Sequence, residues 1–132
     1  MADPSPDRLQ AVILFNFILP AIVAIMLTVG QLLFKRSGLA IAGKSPEQAA
    51  SALIALPAFW LSLVLYGLAT LLWIVVLSRV SLARSYPWVI LPVVLVPWLA
   101  ARIYQEQLPA RFWLGLVVLL GGLIITQWPA SR

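Results

Sequence analysis

Between Asp7-Arg8 and Lys35-Arg36 the chain runs from Ala11 to Phe34 without one charged side chain. At 1.5 Å of rise per residue, a helix of that length exceeds the roughly 30 Å hydrocarbon core of a bilayer. Hydrocarbon leaves an isolated segment no other way to pair its backbone groups than within its own helix. The run is also too long for a signal-peptide core, and no small-residue cleavage site precedes a mature domain, so it is expected to stay as a membrane span. Three further runs repeat the pattern: Pro57 to Ser78, stopped by Arg79; Tyr86 to Ala101, framed by Arg84 and Arg102; and Phe112 to Trp128, after Arg111. The last two are short and are expected to borrow flanking residues whose cationic ends snorkel. With 63% apolar and 10% charged residues, the composition lies far from the roughly 45–50% and 25% of soluble domains. The expected fold is an all-α membrane protein of four transmembrane helices, one domain over 1–132, with spans near 11–34, 57–78, 86–101 and 112–128.

The long loop after the first span carries its own start signal. Ser45-Pro46-Glu47 supplies a cap, a proline at the first helical position and an acid in the first turn. A helix continuous from Ser45 to Ser78 would be about 50 Å long. A break near Pro57 is therefore expected, with 46–56 forming a short interfacial helix; the alternative is one long second helix kinked at Pro57.

There is no Cys and no His. This excludes disulfides, zinc fingers, haem and iron–sulfur sites and Ser–His chemistry, so no metal or cofactor is expected. No acid–base pair falls in a candidate pocket, which makes an enzyme the weakest reading. The nine cations against four acids flank apolar runs, so lipid head groups rather than nucleic acid are the expected anionic partner. Arg8, Arg79, Arg84 and Arg132 fall on one side, and Lys35, Arg36, Lys44, Arg102 and Arg111 on the other. That distribution has no positive-inside bias. A chain inserting in both orientations would show it, and so would a small protein oriented by its partner.

Polar residues within spans are costly in lipid and point to function. Span one holds Asn16, Pro20, Thr28, Gly30 and Gln31. Thr28, Gln31 and Lys35 share a helical face, which looks into a cavity or supplies hydrogen bonds to a neighbouring helix. The acids Asp3, Asp7, Glu47 and Glu106 all avoid the middles of the apolar runs. A proton-coupled exporter of cations needs a carboxylate at membrane depth, and this chain offers none there. Arg79, Arg84, three serines and Tyr86 surround the turn between spans two and three, where guanidinium groups are suited to phosphate; snorkelling is the plainer role. Pro87, Pro92 and Pro97 predict a bent or mobile third span. In span four, Gly115 and Gly122 are a heptad apart and suit close helix packing, by this chain or by another copy. Trp113 and Trp128 fit interfacial positions at its two ends, and Trp73 in span two lines a groove or packs the core.

These residues carry a family resemblance. Val29-Gly30-Gln31-Leu32 with Lys35, Leu72-Trp73, Val76-Leu77, Ser85-Tyr86-Pro87, Glu106, Arg111-Phe112-Trp113 and Gly121-Gly122-Leu123-Ile124 resemble the small four-helix branch of the drug/metabolite transporters. The chain is most similar there to subunits of the flippase that moves aminoarabinose linked to undecaprenyl phosphate, over roughly Ile25 to Gln127. The glutamate that the related multidrug exporters carry in span one falls on Leu27. Gln107 stands where a proline usually follows the acid, and Arg84 replaces an apolar residue.

The resemblance implies a bacterial inner-membrane protein that translocates a polyprenyl-phosphate-linked sugar or similar anionic glycolipid. It implies work as a homodimer, or as a heterodimer with a paralogous four-helix subunit, packed through span four. Lys35 and Arg84 are then expected at the phosphate, with Gln31 and Tyr86 hydrogen-bonding the head group and Trp73 lining the groove. Glu106 is expected to pair with Arg102 or to meet a cationic sugar. A small-molecule exporter without the usual carboxylate, and an accessory subunit of a larger membrane complex, are the competing readings.

Overall fold

The computed structural model describes residues 6–127. Asp3, Trp128 and Arg132 therefore lie outside the described residues. All regular structure within these limits is helical: α1 (Pro6–Ile13), a π-helical turn (Leu14–Ile18), α2 (Leu19–Ile41), α3 (Pro46–Ala55), α4 (Pro57–Leu77), α5 (Leu82–Ile103) and α6 (Ala110–Gln127). Three segments are long and apolar enough to cross a membrane: Asp7–Ile41, Pro57–Leu77 and Leu82–Ile103. A shorter apolar helix, Ala110–Thr126, follows. The molecule is an all-α, multi-pass membrane protein.

α1 and α2 run as one rod through the π turn, where the Leu19 N–H donates to the Leu14 carbonyl. Pro20 is the cause nearest to hand. It has no N–H to return to the Asn16 carbonyl four residues back. That carbonyl instead accepts from the Trp88 indole at 3.0 Å, and the Phe17 and Trp88 rings meet edge to face at 6.2 Å. A proline in one helix thus creates an acceptor that an aromatic residue of α5 fills.

The chain leaves α2 through Gly43, whose φ of +75° favours glycine. α3 then opens on a reciprocal cap: Ser45 Oγ accepts from the Gln48 N–H, and Gln48 Oε1 accepts from the Ser45 N–H. It stops at Leu56, which is extended (φ −94°, ψ 112°) because a residue preceding proline is disfavoured in the helical region. The Trp60 indole donates to the Ile54 carbonyl at 2.9 Å and satisfies one of the orphan acceptors at that helix end. Separate α3 and α4 helices, rather than one kinked helix, result.

α2 is the centre of the bundle and packs on both α4 and α5. Its seam with α4 is built from small side chains: Ala24 and Ala69 are buried, and Gly30 lies against Tyr66. Without a hydrophobic force between helices in lipid, such close approach supplies the packing energy. Large apolar residues point outwards instead, among them Leu71, Ile74 and Ile25. α5 is longer than the apolar run 86–101 suggested, because Ser81 starts the helix ahead of Arg84 and Arg102 lies in its last turn. It continues unbroken through Pro87, Pro92 and Pro97. α6 meets the bundle chiefly through α5, with Leu116 buried and Leu114, Val117, Val118 and Ile125 well exposed.

Candidate functional site

The C-terminal half of α2 and the α5–α6 loop come together at one end of the bundle. Gln31 and Lys35 lie one helical turn apart on α2 and line the same cavity, of about 410 Å³, with Glu106 and Phe112. Apolar residues of α5, including Val96, Pro97 and Ala100, complete its wall. Two adjoining hollows share residues with it: one holds Gln31, Val93, Val96 and Pro97, and the next holds Val93, Pro97, Arg111 and Phe112. They make a groove between α2, α5 and α6 with polar groups at one end and hydrocarbon along the rest.

Three contacts hold the polar end. Lys35 Nζ is 2.5 Å from Glu106 Oε1, the one ion pair among the described residues. The Gln31 amide donates to the Tyr66 hydroxyl of α4. The Tyr104 hydroxyl donates to the Leu32 carbonyl at 2.7 Å. Tyr104 and Glu106 flank Gln105, whose φ of +56° is a left-handed turn uncommon outside glycine. The loop is therefore tied to the same turn of α2 on both sides of that reversal.

Several expectations change here. Glu106 pairs with Lys35 rather than Arg102, whose guanidinium lies 5.7 Å from the centre of the Trp98 ring one turn back on its own helix. Local helical spacing favours Arg102 with Trp98, while the reversal at Gln105 carries the carboxylate back over α2. Arg84 and Tyr86 do not join Lys35. They are exposed near the start of α5, and roughly 28 Å of helix separates Arg84 from the other end of α5, next to Glu106. Lys35 and Arg84 cannot hold one phosphate between them. Arg79, in the turn that precedes Arg84, stacks 5.5 Å from the Phe15 ring.

Thr28 neither faces the cavity nor bonds a neighbouring helix. It is buried and donates to the Ala24 carbonyl of its own helix. Trp73 lines a different cavity, of about 180 Å³, together with Leu27, Trp88 and Thr70 among others. No titratable group lines that cavity, and Leu27 forms part of its apolar wall. Gly115 and Gly122 stand open: a Cβ added at either meets nothing within 4 Å. Among the described residues no helix fills the space beside them, although Gly115 lines the same hollow as Val93 and Pro97 of α5. Tyr66 is not among the site residues expected from the sequence; the signal for it was a phenol in mid-span that, unlike the hydroxyls of Ser62 and Thr70, reaches beyond its own helix.

Known proteins supply independent evidence. The chain is 38% identical over 65 residues to the probable 4-amino-4-deoxy-L-arabinose-phosphoundecaprenol flippase subunit ArnE of Salmonella typhimurium. Counterparts of the same name from Salmonella newport and Salmonella heidelberg match to the same extent. The match takes in 49% of this chain and 59% of each relative, so the chain spans a little over half the length of the curated relatives it matches. These relatives are named as subunits of a transporter rather than as enzymes. No protein-family model and no solved structure matches. The chain is thus a multi-pass membrane protein similar to aminoarabinose flippase subunits.

Proposed function

We propose that the protein is a subunit of a translocator that moves a polyprenyl-phosphate-linked sugar across the bacterial inner membrane. The observation that carries this is the cavity holding Gln31 and Lys35 beside an apolar groove, in a chain similar to named flippase subunits. A charged head group cannot cross about 30 Å of hydrocarbon unaided, whereas its polyprenyl tail is at home there. A groove polar at one end and apolar along its length suits that division. Lys35 takes the phosphate, and Gln31, positioned by Tyr66, hydrogen-bonds the head group.

Arg84 and Tyr86 serve the opposite membrane face, where the same phosphate is met before or after crossing. Trp73 and its apolar cavity receive hydrocarbon rather than the sugar. The open Gly115–Gly122 face of α6 seats a second four-helix subunit, a copy of this chain or a paralogue, which completes the pathway.

Translocation of a polyprenyl-phosphate-linked amino sugar, measured in proteoliposomes containing the chain and its paralogue, tests the reading. Lys35→Gln should slow translocation at least tenfold, the loss of a charge-assisted hydrogen bond of about 1.5–3 kcal/mol. Unchanged translocation in Lys35→Gln sinks the assignment.

A further inference from the structure

We propose that Glu106 is a specificity-determining residue: by occupying Lys35 it keeps monoanionic phospholipids out of the cavity, and it yields only to a phosphate whose head group brings its own positive charge. The proposal rests on reading the Lys35 cavity as a phosphate site.

Lys35 and Glu106 side chains are 43% and 35% exposed, so the pair is reached from outside the bundle. Lys35 closes the uncharged run from Ala11 to Phe34, and a lysine bounding such a run snorkels towards lipid phosphates, which greatly outnumber any minor glycolipid. An unpaired ammonium there would be held by whichever anionic lipid was nearest. Pairing it beforehand changes the balance. A monoanionic lipid that takes Lys35 exchanges one ion pair for another and leaves the Glu106 carboxylate unpaired beside a second negative charge. A head group with both phosphate and ammonium replaces one ion pair with two.

This discrimination requires Glu106 to stay close once displaced. Tyr104 provides for that, because its hydroxyl anchors the loop to the Leu32 carbonyl at 2.7 Å, less than one turn from Lys35. The reversal at Gln105 then directs the chain back over α2. The carboxylate is free to leave Lys35 while the backbone that carries it stays. Among the residues lining this cavity Lys35 is the only cation, and Arg111 lines the adjoining hollow instead.

Native mass spectrometry of the full chain, with phosphatidylglycerol and phosphatidylethanolamine at equal concentration, tests the idea. Wild type should retain the ethanolamine lipid over the glycerol lipid. Glu106→Gln should raise phosphatidylglycerol binding about three- to fivefold, the range expected for a partly exposed charge interaction. Adding Lys35→Gln to that variant should remove the gain. Equal phosphatidylglycerol binding by wild type and Glu106→Gln overturns the proposal. Should the variant fail to fold, wild type decides: a preference for phosphatidylglycerol, or none, overturns it equally. Loss of lipid-linked sugar binding in Lys35→Gln without any gain in Glu106→Gln removes the filter and leaves the phosphate site standing. A Lys35→Gln protein that binds every one of these lipids as wild type does removes both.

Discussion

The ring of Tyr66 fills the space beside Gly30: a Cβ at that glycine would lie 2.5 Å from Tyr66 Cε2 and 2.8 Å from Cδ2. The next residue, Gln31, donates to the hydroxyl of the same ring, and Phe34, one turn on from Gly30, meets it at 5.1 Å between centroids. Gly30 thus sets how closely α4 approaches α2, and through Tyr66 it sets where the Gln31 amide points. Gly30→Ala should lower stability by about 1–3 kcal/mol, the usual cost of overpacking. Thermal unfolding in detergent reads this. Tyr66→Ala removes the clash, so the double variant should lose less than the sum of the two single losses.

Trp88 fills an acceptor that Pro20 leaves without its helical donor. Trp88→Phe should therefore cost about 1 kcal/mol, the lower end of the penalty for an unsatisfied carbonyl, because this one is only part-buried. Pro20→Ala restores an N–H at the right spacing for Asn16. Unfolding of Trp88→Phe/Pro20→Ala should start at higher temperature than that of Trp88→Phe alone, and independent, additive losses would refute the coupling.

The separation of α3 from α4 depends on Pro57 and on the Trp60 indole bond to Ile54. Replacing both, as Pro57→Ala/Trp60→Phe, should let the two helices merge. The chain has no native cysteine, so spin labels are easily placed at the exposed positions 47 and 63. Their separation should lengthen towards roughly 24 Å, the span of sixteen residues of continuous helix.

Among the described residues, nothing occupies the space that a Cβ would take at Gly115 or Gly122. Leucine at either position should not destabilise the isolated chain, and relief of the helical glycine should raise its stability by up to about 1 kcal/mol. Association with the second subunit, followed by energy transfer between labelled chains in liposomes, should fall sharply. A loss of stability in the isolated chain with association intact would place the packing surface elsewhere.

Much of the architecture was legible in residue order. Uncharged runs bounded by arginine and lysine mark the spans because a membrane penalises each buried charge and each unpaired backbone group independently of what lies nearby. The cap at Ser45 and the stop before Pro57 were legible for a similar reason: both act within a few residues. Gln31 and Lys35 were paired correctly on one face by helical spacing alone. That rule extends no further than the helix, and expecting Lys35 and Arg84 at one phosphate ignored the length of α5 between them.

What only the tertiary structure decided is which helix ends meet and which groups fill the openings that prolines and glycines leave. Glu106 answers Lys35, Tyr66 fills the gap at Gly30, and Trp88 reaches the Asn16 carbonyl. The sequence separations of these pairs run from 36 to 72 residues. No local period encodes them, because each depends on a chain reversal at a loop and on the close approach of two helices. The sequence by itself determined that the chain must live in a membrane and where its helices run. Packing of α2 between α4 and α5 determined that its polar residues gather at one end around a lysine already held by a carboxylate.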